Sequence, residues 1–335
     1  MKIVCIYHSI DLDGWMSAAI VKHYYKLNSK KYLEGDMEDI ADNDSIAFIG
    51  YNYGQPIPNL SEYSKVIMCD ISFPSEVMQQ LVDRLNVNFI WIDHHISAIN
   101  DNRYVGTYQK YPGFEGKMAI FGRRNVKYSA CELTWKYFFE DKMPEIVRVL
   151  GRYDCFGHKG TDEEIYVLEF QYGARACISN YNDAYNYLYN CIMQFNIGSI
   201  EHSIWLNGKA IYRYLCTDAK QSYKNGFTIH FDEIVLDDNG FPNCRQRQKF
   251  ICINKERFNP INFGIDYHAD GYDGAACFHY ADGKWKFSLY NDDDSIDCSV
   301  IAKVFNGGGH KGAAGFVVEN IEEFLHGYNQ EGSHS

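Results

Sequence analysis

Residues 3–14 read Ile3-Val4-Cys5-Ile6-Tyr7-His8-Ser9-Ile10-Asp11-Leu12-Asp13-Gly14. Five apolar residues run without a polar interruption, and then a histidine, two aspartates and a glycine end the run. The first part has the length and composition of a strand buried on both faces, as in parallel sheets. The second part cannot continue that strand. It reads as a loop feeding a helix whose apolar positions are Met16, Ile20, Tyr24 and Leu27. Strand, polar loop and helix make the opening half of a βαβ unit.

The pattern recurs downstream. Ser45–Gly50, Lys65–Cys69 and Asn88–Ile92 are further short apolar runs, and Val77, Leu81 and Leu85 mark a helix between two of them. Alternating signals of this kind predict a mainly parallel sheet sandwiched by helices. More helices follow at Ser129–Glu140 and Pro144–Tyr153, where Pro144 suits a first helical turn. Residues 160–195 read as helical and tyrosine-rich. Ile200–Lys224 reads as one long amphipathic helix stopped by Gly226 as a C′ residue. The texture then changes to strands at Phe227–Phe231, Lys249–Asn254, Ala275–Tyr280 and Lys284–Tyr290, with Asp282-Gly283 as a hairpin turn. A short helix at Cys298–Phe305, a glycine run, a strand at Gly315–Val318 and an Asn320/Glu323 capping box complete the reading. The expected fold is α/β, with a smaller C-terminal α/β domain holding a mixed sheet. The expected boundaries are 1–198, a helical linker at 199–226, and 227–328.

Composition narrows the function classes. The 335 residues carry a net charge of −12 and are 46% hydrophobic and 16% aromatic, enough for two packed cores. A protein that coats long duplexes usually shows a basic face, so small ligands are favoured here and no long duplex is expected. The 11 cysteines form no C-x-x-C pair, which points away from zinc ribbons and disulfide frameworks. No stretch approaches the roughly 20 apolar residues needed to span a bilayer. The expectation is a cytoplasmic protein without a membrane partner, its oligomeric state open.

The ionisable residues fall where ligands bind. His8 ends the first strand, Asp70 the third, and Asp93-His94-His95 the fourth; Asp11 and Asp13 occupy the loop leaving the first. The carboxyl ends of parallel strands line a common crevice, so these groups are expected to converge. Taken singly, Asp13 reads as a helix N-cap, Asp154 as a helix terminator and His8 as a satisfied strand-end histidine. Their conjunction at one sheet edge favours ligation. Carboxylates mixed with imidazoles suit two nearby divalent cations, Mn²⁺ first, with Mg²⁺ or Co²⁺ as alternatives. Three glycines, Gly307, Gly308 and Gly309, precede His310 and suggest close backbone approach to a phosphate. The acidic run Asp292–Asp294 reads as a solvated turn.

Together, HSIDLDG (8–14), Asp70, Asp93-His94-His95, Asp154 and GGGHKGAAGF (307–316) resemble the ordered motifs of the DHH phosphoesterase superfamily with its associated C-terminal domain. The spacing H-x-x-D-x-D-G is similar to that of the nanoRNase and RecJ-like branches. The resemblance implies that His8, Asp11 and Asp70 hold one metal, and that Asp13, Asp70, His94 and Asp154 hold the other, Asp70 bridging. It further implies that His95 faces the phosphate, that Asp93 orients a ligand, and that His310 and its glycines close over the nucleotide. The implied activity is hydrolysis of short RNA or DNA oligonucleotides to mononucleotides by a two-metal-activated water. One departure stands out: Tyr290 occupies the place where related domains often carry an arginine, and a tyrosine can stack on a base but cannot make a bidentate phosphate contact. Alternatives are hydrolysis of a small signalling nucleotide (a nucleoside bisphosphate or a cyclic nucleotide) and a non-catalytic nucleotide sensor.

Overall fold

The structure is a computed structural model that describes residues 2–31, 46–101, 120–193, 199–236, 242–256, 258–293 and 295–328. Ser45, residues 194–198 and Asp294 of the readings above lie outside the described residues. The chain divides into two compact units, Met1–Ile211 and Tyr212–Ser335.

The first unit is built on four parallel strands, β1 (Ile3–His8), β2 (Ile46–Tyr51), β3 (Lys65–Cys69) and β4 (Phe89–Ile92), in the order β2-β1-β3-β4. The last begins one residue later than its apolar run suggests, because Asn86–Asn88 forms a 3₁₀ turn. Alternation along the strands assigns the two faces. Val4, Ile6, Val66, Met68, Phe89 and Trp91 pack with Met78, Leu81, Val82 and Leu85 of α2 (Ser75–Leu85). Ile3, Cys5, Tyr7, Ile67, Cys69, Ile90 and Ile92 pack with Ala18 and Val21 of α1 (Leu12–Lys31) and with Leu133. The opposite side of α1, with Met16, Ala19 and Ile20, packs into a helical layer. A helix covered on both sides must be apolar nearly all round, and the first half of α1, through Val21, is, whereas the lysine-bearing second half reaches solvent.

After α3 (Ile96–Asp101), that helical layer comprises α4 (Ala130–Phe138), α5 (Glu145–Asp154), α6 (Glu164–Cys177), α7 (Tyr181–Met193) and the start of α8 (Ser199–Lys224). Ser129 and Glu132 form a reciprocal capping box on α4. Pro144 is the N-cap of α5, at φ −59° and ψ 145°, and so lies just outside the first helical turn. Gly226 follows α8 without adopting a left-handed φ; a Cβ there would sit 2.6 Å from Ile251 Cδ1, so close packing rather than a C′ turn explains it. The two units divide within α8.

The second unit holds a mixed six-stranded sheet in the order β5-β6-β7-β8-β10-β9. Its strands are β5 (Phe227–Leu236), β6 (Pro242–Asn254), β7 (Gly274–Ala281), β8 (Lys284–Tyr290), β9 (Gly308–His310) and β10 (Ala313–Val318), and only β6 and β7 pair in parallel. Asp282 and Gly283 turn the β7–β8 hairpin with φ of 56° and 78°, as a primed turn requires. With α9 (Cys298–Val304) and α10 (Ile321–Tyr328), the sheet buries Phe231, Phe250, Phe287, Phe316 and Phe324. Asn320 Oδ1 accepts from the Glu322 and Glu323 backbones at the start of α10. Asp292, read as part of a solvated turn, accepts hydrogen bonds from Tyr267 (2.6 Å) and His268 (3.0 Å), so the turn is anchored.

The contact that fixes α1 against the sheet edge is Gly14, where a Cβ would fall 2.0 Å from the His8 carbonyl oxygen. Gly14→Ala is expected to destabilise the first unit by about 1–3 kcal/mol, as overpacking does. Thermal unfolding of the variant checks this; an unchanged midpoint would show that the helix can shift freely.

Candidate metal centre

Strand order brings the ionisable residues together. The carboxyl ends of β1, β3 and β4 are neighbours, and each ends on a candidate ligand or just before one. Asp70 follows β3 in a left-handed backbone, φ 62°, which a non-glycine residue rarely adopts without compensation. Its N–H donates to the Ile92 carbonyl at 2.9 Å, tying it to β4. The carboxylate is 1% exposed and faces both ways, with Oδ2 3.4 Å from His8 Nδ1 and Oδ1 3.4 Å from His94 Nε2.

Asp11 closes the first side. Its Oδ2 lies 2.8 Å from His8 Nδ1, and its Oδ1 accepts from the Gly14 N–H at 2.9 Å. Asp11, not Asp13, therefore caps α1. Asp13 instead accepts the Ala130 and Cys131 N–H groups at 2.8 Å each, holding the N-terminus of α4 in its carboxylate. Its Oδ2 is also 3.7 Å from His94 Nε2, and Asp154 Oδ2, at the end of α5, is 3.1 Å from the same atom. Three groups of donor atoms have ion-binding spacing: His8, Asp11 and Asp70; Asp13, His94 and Asp154; and Asp70, His94 and His95.

Asp93 is fully buried and holds the segment that follows it. Its Oδ1 accepts from the His94 and His95 backbones at 2.7 and 3.1 Å and lies 2.8 Å from His95 Nδ1, while Oδ2 accepts from Trp91 Nε1 at 3.2 Å. Asp93 thereby fixes the orientation of the His95 ring through Nδ1.

Two observations test whether cations fit. First, His8 Nδ1, Asp70 Oδ1 and His94 Nε2 are buried and close to oppositely charged atoms, yet none makes a hydrogen bond of acceptable angle. The 2.8 Å approach of His8 to Asp11 is too skewed to count as one. Convergent donor atoms without mutual hydrogen bonds are what a shared ion produces. Second, the charges do not balance. Burial, with Asp70 and Asp154 nearby, pushes the Asp13 carboxyl well above its ordinary range, and burial with Asp11 close by raises Asp70. Burial pushes the imidazoles down, but the carboxylates outweigh it: Asp11 and Asp70 raise His8 to about 10, and Asp154, Asp70 and Asp13 raise His94 to about 12. Crowded carboxylates that favour positive charge on His8 and His94 make a donor set that fits divalent ions.

The glycine motif in the second unit has a local explanation in part. A Cβ on Gly307 would lie 2.2 Å from the Gly315 carbonyl, and one on Gly309, at φ 147°, 2.5 Å from Ala314 Cα. Close packing of β9 on β10 accounts for both, while nothing lies within 4 Å of a Cβ on Gly308. β9 itself was not expected, because two of its three residues are glycines, which carry little strand propensity. The side chain of His310 lies outside the described residues. Tyr290 ends β8 opposite Ala275 and Ala313, and its hydroxyl is within hydrogen-bonding reach of Cys277. Motif reading missed Tyr53, beside His8, and the α4 N-terminus that holds Asp13. The turn residues Asn52 and Gly54, just past a strand carboxyl end, were the available signal for Tyr53.

Residues 2–151 match the family model of the DHH family, N-terminal domain. An uncharacterized protein of Acanthamoeba polyphaga mimivirus is 24% identical over 344 residues, covering 96% of this chain and 69% of its own length. Among solved structures, the DHH domain of a protein described as a member of a family of ribosomal proteins superposes with a TM-score of 0.55 at 13% identity, covering 97% of this chain and 85% of that one. A pGpG-specific phosphodiesterase, PggH from Vibrio cholerae, gives a TM-score of 0.47 at 14% identity, covering 97% and 96%. The strand order and the Asp93-His94-His95 turn on β4 fall within the stretch that the family model matches, and residues 2–151 belong to the DHH family, N-terminal domain.

Proposed function

We propose that the protein is a divalent-metal-dependent phosphoesterase that hydrolyses short oligonucleotides to mononucleotides. The observation that carries the reading is Asp70: a strained, buried carboxylate whose two oxygens face two separate groups of histidine and aspartate. In this reading His8, Asp11 and Asp70 hold one ion, and Asp13, Asp70, His94 and Asp154 the other. Held there, divalent ions would neutralise a phosphoryl group and lower the pKa of the attacking water. Mn²⁺ suits a mixed set of oxygen and imidazole donors, and Mg²⁺ and Co²⁺ are the alternatives.

The chain's own groups do the remaining work. Asp93 orients the His95 ring, and in this reading His95 faces the phosphate and would stabilise its developing charge or assist the departing alkoxide. Asp13, pinned by two backbone N–H groups, cannot swing away when an ion leaves. In the second unit, Gly308, with its neighbours Gly307 and Gly309, His310 and Tyr290 are assigned to substrate contact. A cytoplasmic location is part of the proposal; among the described residues no helix is long and apolar enough to cross a membrane.

Three outcomes are expected. Titration with Mn²⁺ should release about two protons per chain, from His8 and His94, so apparent affinity falls as pH falls. Calorimetry in buffers of different ionisation heat measures this, and a heat independent of buffer would contradict the ligand assignment. With Mn²⁺ present, RNAs of two to five nucleotides should yield mononucleotides, and Asp70→Ala should cut the rate by more than about 100-fold, beyond the loss expected for an outer partner. A panel that adds pGpG, cyclic nucleotides and nucleoside 3′,5′-bisphosphates identifies the preferred class; product from the panel with none from short RNA would replace the oligonucleotide reading. Asp93→Asn should lose roughly 10–100-fold in rate while keeping its bound metal, since it orients His95 and touches no ion. Metal analysis beside kinetics tests that, and loss of metal would make Asp93 a ligand.

A further inference from the structure

The turn after β2 places an aromatic ring beside the metal centre, and no motif accounts for it. Asn52 Oδ1 accepts the Tyr53 N–H at 2.9 Å, Gln55 Oε1 accepts the Asn52 N–H at 2.9 Å, and the Tyr51 hydroxyl donates to the Gln55 carbonyl at 3.1 Å. Gly54, at φ 86°, supplies the left-handed corner. The turn is therefore built rather than loose. β2 lies beside β1 with Tyr51 opposite His8, so the residue two positions on emerges at the same carboxyl edge as the ligands.

From there Tyr53 spans the edge. Its ring centre is 6.3 Å from that of His8, and its hydroxyl is within hydrogen-bonding reach of the side chain and backbone N–H of Ser72, two residues past Asp70. One side chain thus runs from the end of β2, past β1, to the end of β3, in the order the strands occupy. Its backbone is fixed by the turn, and the residue is 52% exposed. A ring carried on a built turn and set beside a second ring, with much of its surface open, gives up little entropy on receiving a flat partner. Every nucleobase presents such a face, whereas phosphate and sugar do not.

We propose that Tyr53 is the platform on which the substrate's nucleobase stacks while its phosphate is held at the His8, Asp11 and Asp70 group. The site thereby selects base-bearing phosphoesters over base-free ones. The proposal rests on the phosphoesterase reading and deepens it.

The test compares wild-type protein, Tyr53→Phe and Tyr53→Ala, all full-length with Mn²⁺, on 5′-phosphorylated diadenylate and on the same backbone lacking both bases. Binding of AMP and of ribose 5-phosphate is measured in parallel by calorimetry. Tyr53→Ala should raise KM for the diadenylate roughly 5- to 100-fold, change kcat little, and leave the base-free substrate as it was. Tyr53→Phe, which keeps the ring, should retain most of the preference. If alanine harms both substrates alike, or neither, the platform is wrong. If phenylalanine loses as much as alanine, with the loss in kcat, the hydroxyl is the working group and the proposal also fails. If wild-type protein hydrolyses nothing but binds AMP more tightly than ribose 5-phosphate, and Tyr53→Ala erases that difference, the platform stands and the hydrolase reading falls.

Discussion

Four aspartates share one small, largely buried space, and that constraint organises the first unit. Asp11, Asp13, Asp70 and Asp154 meet His8 and His94 within ion-binding distances, and like charges so placed cannot all remain ionised without cations. The protein does not relax the crowding by letting the side chains turn to solvent. Asp70 is forced inward by a left-handed backbone at the end of β3, and its N–H is tied to β4. Strain of that kind persists only where its surroundings overdetermine it.

The surroundings do so with ordinary secondary structure. Parallel strands deliver His8, Asp70 and Asp93 to one edge, and a buried helix next to the first strand lets Asp13 reach the N-terminus of α4. That contact ties α1 to the N-terminus of α4 through a single carboxylate, so the geometry of the candidate site depends on the packing of the layer behind it. Asp93 plays the matching part on β4, where Trp91 and two backbone N–H groups fix it before it can fix His95. Both arrangements fix the convergent side chains through backbone N–H groups, which sets the positions of their donor atoms.

The second unit is organised differently. Its core is a stack of phenylalanines: Phe287 and Phe316 lie parallel with ring centres 5.0 Å apart, and Phe231 and Phe324 pack around them. Such a core tolerates close strand pairing at the sheet end, where glycines replace larger residues. Two of the three glycines before His310 are required by that pairing, so a glycine run that reads as a ligand loop is also a structural necessity of the hairpin.

Local chemistry was legible in the residues themselves. Uninterrupted apolar runs marked the four parallel strands to within a residue or two, and the polar residues ending them marked the site, because a buried strand cannot carry His8 or Asp70 in its middle. Asp282-Gly283 announced its hairpin, since left-handed φ at both positions has few alternatives. What the sequence left open were features that need a partner from elsewhere in the chain. Which aspartate caps α1, that Asp13 serves α4 more than a hundred residues away, that the glycine run pairs as a strand, and that Tyr53 lies beside His8 are all decided by strand order and layer packing. Hydrophobic period and turn propensity act over a few residues and are written in order along the chain. Approach between distant backbones is set by how whole elements stack, and only the folded structure contains that information.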